Sequence, residues 1–395
     1  MIDMKEIDGI EDWLIGQALQ TVSLPDIFAS MCERLNECGV QVDRATLGWS
    51  TLHPLIEAEM VYWTAGNGAV HERYTHREDE GEDWINSPMR AVLHSGEDML
   101  RRKLRGANSV HDYPLCEQLS KDGYADYVVL ATGFDLPALQ DMRGKTGILV
   151  SWATIAEEGF SDEELFAIQY LQKRFALAAR ATLQAEIAQT IADTYLGCIA
   201  SRKVLSGQIR HGDGENISAV IFFSDIRNST SIAEALGPKD YLRWLNIYFD
   251  ATAGAVLHQG GEILDFIGDA VLAVFPISEH GLDAAVRKAI AATDEARHKL
   301  AAINSERGDQ PELRAGIALS VGDVMFGNIG IPDRLTFSVI GQTVHAAARI
   351  EALNKTTGTD ILVTEDIARL AMERSRFVGK FALSGFSTEQ PLYTI

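Results

Sequence analysis

Read for the spacing of its apolar residues, the chain falls into two halves joined by a long helical stretch. Residues 45–155 hold short runs rich in β-branched and aromatic side chains, "ATLGWSTL", "EMVYWTA", "ADYVVLATGF" and "TGILVSWATI", separated by turns and loops. That pattern predicts the strands of an antiparallel sheet. Two helix-like segments, "IEDWLIGQAL" and "LPDIFASMCERL", come first. Residues 1–160 are therefore expected to form one α/β or α+β module.

A capping box at Ser161 and Glu164 then opens a helical pattern that runs as one helix or two nearly continuous ones. Leu171, Phe175, Ala179, Leu183, Ile187, Ile191 and Tyr195 recur every four residues. Such spacing drifts around an ideal helix, so the stripe can pair with a partner over only a few turns. Residues 161–212 are read as a dimerising connector, ahead of a helix packed only on its own domain, closed by the polar, glycine-containing "RHGDGEN" at 210–216.

From there the pattern predicts a strand at 218–224, a helix at about 238–257 opening at Pro238, and a strand pair around Gly268. A helix at about 280–303, strands within 313–340 and a helix at 342–354 follow. The βαββαβ order is ferredoxin-like. The expected fold class is α+β, with a second domain spanning residues 213–395.

Composition narrows the function classes. With 46% hydrophobic and 23% charged residues over 395 positions, the chain reads as globular and long enough for two cores. A formal charge of -21 repels nucleic acid and anionic membranes, and the longest basic run is Arg101 to Lys103. The start, "MIDMKEIDGIEDW", is acidic where a secretory signal is apolar, and no apolar run approaches a membrane span. A cytoplasmic protein is expected, with no nucleic-acid or membrane partner. Cys32, Cys38, Cys116 and Cys198 lack CxxC spacing and are read as reduced thiols.

Three segments carry chemistry. The apolar strand "AVIFFSD" ends on Asp225, followed by "IRNST" entering a helix. A carboxylate at a strand tip beside helix N-terminal amides can hold a divalent cation and a phosphate together, although an aspartate there also serves as an N-cap. In "GGEILDFIGDAVLAVF", a turn at Gly268 can bring Asp269 beside Asp225. Two aspartates suit Mg²⁺ or Mn²⁺, which prefer oxygen ligands. In "LTFSVIGQTVHAAARIEAL", Thr336, Ser338 and Ile340 share a strand face, while His345 and Arg349 project from one side of a helix. An arginine so placed can brace negative charge on a phosphate.

Taken together, "FFSDIRNST", "GGEILDFIGDAVLAVFP", "GDVMFGNIG" and "FSVIGQTVHAAARIEALNK" resemble the class III nucleotide cyclase catalytic domain, in order and spacing. The resemblance implies a head-to-tail homodimer with two interfacial sites, each turning a nucleoside triphosphate into a 3′,5′-cyclic monophosphate and pyrophosphate. It also implies two Mg²⁺ or Mn²⁺ ions on Asp225, Asp269 and the Ile226 carbonyl, with Asn228, Ser229 and Thr230 cradling phosphate. Arg349 of the partner chain would stabilise the transition state, with His345 one helical turn before it.

Departures from the adenylate cyclase pattern cluster where base and ribose are handled. The usual base-reading lysine is Asp265, its aspartate partner is Thr336, and the usual asparagine is His345. Near the C-terminal "LSGF", where the family tends to place a basic phosphate ligand, stands Ser384, with Lys380 nearby. An ionised aspartate only accepts hydrogen bonds, so Asp265 favours a base that presents donors. Guanine offers N1–H and N2–H₂, and Thr336 can donate to its O6. Asp is one methylene shorter than the Glu of guanylate cyclases, and uracil and cytosine present donors too. The expectation leans to GTP, with an adenylate cyclase of atypical pocket or a weak signalling pseudo-cyclase as alternatives.

The segment "GKTGILVSWATIAEEGFSDEELFAIQYLQKRFALAARA" resembles the end of a GAF-type sensor domain. That implies a signal of unknown identity acting through the helix on the cyclase dimer. His53, His71, His76, His94 and His111 have no tight ligand spacing and are read as ordinary histidines. Trp49, Trp63, Trp84 and Trp152 are read as core residues rather than a pocket lining.

Overall fold

The computed structural model describes residues 4–77, 79–136, 146–277, 281–331, 333–384 and 386–395. The chain divides into two compact units, Met1–Ile191 and Ala192–Ile395.

In the first unit, α1 (Met4–Ala18) and α2 (Leu24–Glu37) precede β1 (Arg44–Ser50), β2 (Ile56–Thr64) and β3 (Gly68–Thr75). The chain continues through α3 (Glu82–Ile85), α4 (Pro88–Ser95), β4 (Met99–Lys103), α5 (Pro114–Lys121), β5 (Asp126–Gly133), β6 (Gly147–Thr154) and α6 (Asp162–Leu196). The strands form one sheet in the order β3-β2-β1-β6-β5-β4, with every pairing antiparallel. Alternation along the strands sends Leu47, Trp49, Val61, Trp63, Val150 and Trp152 to a core shared with Phe28 and Met31 of α2. Tyr127, Val129 and Leu149 face the other way, onto Met89 of α4 and Leu119 of α5.

The expected capping box is formed. Ser161 N–H donates to Glu164 Oε2 at 2.8 Å, and Glu164 N–H donates to Ser161 Oγ at 3.2 Å. The connector reading of 161–212 needs a correction, because Leu171, Phe175, Ala179, Leu183 and Ile187 are buried in the first unit's own core. Phe175, for example, lies with its ring centroid 5.7 Å from that of Phe28 in α2, so this part of the stripe is covered within its own unit. Only Ile191 and Tyr195 of that stripe are exposed, at 36% and 82%. The histidines are spread out: His71 meets Glu59, His76 the His53 carbonyl and His111 the Leu104 carbonyl.

The second unit opens with α7 (Cys198–Leu205), β7 (Gly214–Ile226), α8 (Ser229–His258), β8 (Glu262–Ile267), β9 (Ala270–Pro276) and α9 (Gly281–Glu306). Next come β10 (Ala315–Ile331), β11 (Arg334–Ile340), α10 (Gln342–Thr357), β12 (Ile361–Thr364), α11 (Glu365–Leu370), β13 (Arg376–Phe381) and β14 (Gln390–Thr394). The sheet order is β13-β14-β12-β10-β7-β9-β8, with β11 paired to β10. Within it, β10-β7-β9-β8 and the helices α8 and α9 form the expected ferredoxin-like βαββαβ core.

Strand β7 is almost continuously apolar because both its faces are covered. Val220 and Phe222 pack with Tyr248, Val256 and Val286 of the helical layer, whereas Ile221 and Phe223 pack with Phe337, Val339 and Ala347. The helix expected from Pro238 begins earlier, at Ser229, and breaks at Gly237, where φ is 72°. Pro238 restarts it, as a residue with preset φ and no N–H does at a first helical position.

Candidate active site

Asp225 lies one residue before the end of β7, an inner strand flanked by β10 and β9. It stands opposite Gly316 of β10. Val271 of β9 pairs with Ser224, so the β8–β9 hairpin turns beside the tip of β7. That turn has two residues, Gly268 and Asp269, since Ile267 pairs with Ala270. Positive φ occurs only at the first of them, Gly268 (66°), the II′ pattern that Gly at this position permits. The two aspartates that sequence spacing singled out are thus brought together.

Their proximity has an electrostatic signature. Burial, followed by the Asp269 carboxylate beside it, pushes the Asp225 pKa above the usual carboxylate range. Lys355, with Nζ 4.0 Å from Asp225 Oδ2, opposes that shift. Two like charges held together in a half-buried place favour a bound cation. Among the described residues no group of three or more His, Cys, Asp or Glu is arranged as a metal cage. The donor set still fits Mg²⁺ or Mn²⁺, which commonly take one or two carboxylates and complete their shell with water and substrate phosphate.

The remaining expected residues fall on three neighbouring elements. Asn228 is left-handed (φ 59°, ψ 32°) and caps α8 without a side-chain hydrogen bond. It is the only non-glycine residue with positive φ among the described residues. Its carbonyl accepts from Ile232 N–H at 3.1 Å, so the amides of residues 229 to 231 precede the helical ladder and have no acceptor within it. Ile226 is buried by its side chain.

Asp265 owes its orientation to an irregularity. The β8–β9 register shifts between Ile263 and Asp265, so Asp265 pairs with Leu272. A bulge of this kind re-aims the side chains that follow it. Leu272 packs on the side of Phe337 and Ala347, and β11 contacts β8. Thr336 and Ile340 are exposed on β11, while Phe337 and Val339 between them are buried.

Helix α10 presents two faces. His345 and Arg349 are exposed together on one. Glu351 and Lys355, also one turn apart, lie about 120° around the axis at roughly 100° per residue. The second face meets the aspartates, since Lys355 is the residue beside Asp225. Arg349 therefore lies on a different face of α10 from Lys355, the residue beside Asp225.

Four residues near the carboxylate pair were not legible in the sequence. Glu351 is buried beside Arg227, with Arg227 Nη1 3.3 Å from Glu351 Oε1. Burial raises the Glu351 pKa to about 7, opposed first by Arg227, with Asp225 and Asp269 adding to the rise. Ion pairing alone would hold this carboxyl in the usual range, and desolvation outweighs it. Tyr241 of α8 is also shifted upward, by burial and then by Asp269 and Asp225. The i, i+4 spacing of Glu351 and Lys355 was the one available signal, and it is the same spacing that surface ion pairs use.

A β-strand thus delivers one carboxylate beside a second one on a hairpin, inside a ferredoxin-like core, an arrangement that can accept a divalent cation. The family described as "Adenylate and Guanylate cyclase catalytic domain" matches residues 213–390; this part of the chain is a class III nucleotide cyclase catalytic domain. It is similar to an adenylate cyclase of Anabaena cylindrica, 37% identical over 155 residues, 38% of this chain and 30% of that protein. Adenylate cyclase 2 of Rhizobium meliloti is 28% identical over 225 residues, 56% of this chain and 59% of that one. The chain thus covers less than two thirds of either relative's length. Among solved structures, the guanylyl cyclase Cya2 is 28% identical with a TM-score of 0.40, covering 46% of this chain and 92% of that one. No helix among the described residues is long and apolar enough to cross a membrane.

Proposed function

We propose that this protein is a signal-regulated nucleotide cyclase that converts a nucleoside triphosphate, by preference GTP, to its 3′,5′-cyclic monophosphate and pyrophosphate. The observation that carries the reading is the pairing of Asp225 with Asp269 at the tip of β7, within a cyclase catalytic domain. Two Mg²⁺ or Mn²⁺ ions bound there, with the Ile226 carbonyl assisting, would acidify the ribose 3′-hydroxyl and neutralise phosphate charge. The 3′-oxygen forms its bond to the α-phosphorus as the bond to the β-phosphate oxygen breaks, and the hydroxyl proton passes to water. Asn228, Ser229 and Thr230 hold phosphate oxygens through backbone amides at the start of α8. Arg349 braces the charge on the transferring phosphate, and His345 positions the ribose or triphosphate beside it.

Because Arg349 lies on a different face of α10 from Lys355, the residue beside Asp225, the active unit is a homodimer in which each site takes Arg349 from the partner chain. Exposed Phe266, Ile267, Ile329 and Ile340 offer apolar surface for that contact. Asp265, placed by its bulge, reads the base as an acceptor, with Thr336 as donor; this favours GTP over ATP. The two relatives described above bear the name adenylate cyclase, which supports cAMP as the second reading. The first unit acts as a GAF-like sensor for an unidentified signal, in a cytoplasmic protein.

Offering ATP, GTP, CTP and UTP with Mn²⁺ or Mg²⁺ and identifying any cyclic product tests the proposal, with Asp269→Ala as the blank. Cyclic GMP is expected as the main product. No product above the blank from any nucleotide, with the first unit present or deleted, sinks the enzyme reading.

A further inference from the structure

The ion pair of Arg227 and Glu351 takes no part in the chemistry above, yet it lies within electrostatic reach of Asp225 and Asp269. Their side chains are 12% and 3% exposed. The two terminal nitrogens of Arg227 and Oε1 of Glu351 find no hydrogen-bond partner among the described residues, so charge alone joins them. A buried pair of this kind adds little net stability, whereas removing one member leaves an uncompensated charge. Its presence therefore calls for a reason other than stability.

The surroundings supply one. Gly316, directly across the strand pair from Asp225, leaves the space that the pair fills. A Cβ there would collide with both Glu351 Oε1 and Arg227 Nη2. Arg227 is two residues from Asp225 and immediately before Asn228, and its N–H donates to the Arg314 carbonyl at 2.8 Å. Glu351 belongs to α10, whose other face carries His345 and Arg349.

We infer that Arg227 and Glu351 are a charge-balanced positioning pair for the metal site. Arg227 locks the corner between β7 and α8 against α10, and Glu351 cancels its charge so that the guanidinium does not compete with the divalent cation for Asp225 and Asp269. This rests on the cation-binding part of the proposed function and not on cyclisation itself.

The test titrates Mn²⁺ into the full chain at pH 8, where Glu351 is charged, and follows free Mn²⁺ by electron paramagnetic resonance. Glu351→Gln weakens Mn²⁺ binding and Arg227→Met tightens it, by about fivefold each from the changed local charge. Arg227→Lys retains the charge and the wild-type affinity, and serves where Arg227→Met does not fold. The double variant Arg227→Met with Glu351→Leu regains wild-type Mn²⁺ affinity and melting temperature. It loses about tenfold or more in kcat with little change in KM, because the corner is no longer held. A merely structural pair shifts Mn²⁺ affinity in the same direction in both single variants, or not at all, and recovers kcat in the double; either result overturns the inference. If the wild-type protein binds Mn²⁺ but makes no cyclic nucleotide, the cyclase reading fails while the Mn²⁺ arms still decide this one.

Discussion

Lys355 Nζ stands 4.0 Å from Asp225 Oδ2, on a face of α10 about 120° around the axis from the one that carries Arg349. A flexible ammonium beside two carboxylates is a resident counter-charge that a divalent cation has to displace. Lys355→Gln is therefore expected to tighten Mn²⁺ binding. The lysine side chain is 57% exposed, so solvent screening holds the gain to about two- to threefold. Mn²⁺ titrations at low and high salt check this, with the difference between wild type and variant shrinking as salt rises. Unchanged or weaker binding in the variant would show that Lys355 does not compete.

The raised pKa of Glu351 ties stability to pH. Its folded-state value is about 7 against an ordinary 4.5, so between these values the folded protein binds more protons than the unfolded one. Stability then falls as pH rises through that window, by roughly 3 kcal/mol at most. Without added metal, the melting temperature should drop from pH 5 to pH 8, and Glu351→Gln should flatten that slope. An equal slope in the variant would assign the dependence to other groups.

These two residues also mark the limit of what the sequence discloses. Asp225 and Asp269 could be read because each ends or begins an apolar strand, and a glycine between two strand runs announces the turn that joins them. Arg349 and His345 could be read from helical spacing. Glu351 and Lys355 have the same spacing, but their meaning depends on Gly316 lying across from Asp225, a tertiary coincidence that no local period records. The stripe on α6 failed for a related reason. Periodicity shows that a helix face is apolar, and it does not say whether the sheet beneath or a second chain covers it.

If each site takes its carboxylates from one chain and its arginine from the other, two dead variants should rescue each other. Asp269→Ala keeps Arg349, and Arg349→Ala keeps the aspartates. Half of the dimers in an equal mixture are mixed, and each of these holds one complete site of two. Recovery to about a quarter of wild-type activity is expected from closed two-fold pairing. Co-expressing the two chains and assaying the mixture provides the measurement. Activity no greater than that of either variant alone would place Arg349 in the site of its own chain.

Base choice gives the sharpest prediction. The bulge at the start of β8 sets Asp265 opposite Leu272, and Thr336 is exposed on β11, a strand that contacts β8. An acceptor and a hydroxyl there complement guanine, whereas a lysine and an aspartate complement adenine, because the roles of donor and acceptor are exchanged. Leaving a buried polar group of the base unpaired costs about 1–3 kcal/mol. Asp265→Lys combined with Thr336→Asp should accordingly move the GTP to ATP ratio of kcat/KM toward ATP by about tenfold or more. Single substitutions should lower activity with both nucleotides, since each leaves one mismatched partner facing the base. Retention of the wild-type ratio in the double variant would mean that Asp265 does not read the base, and the preference for GTP would lose its basis.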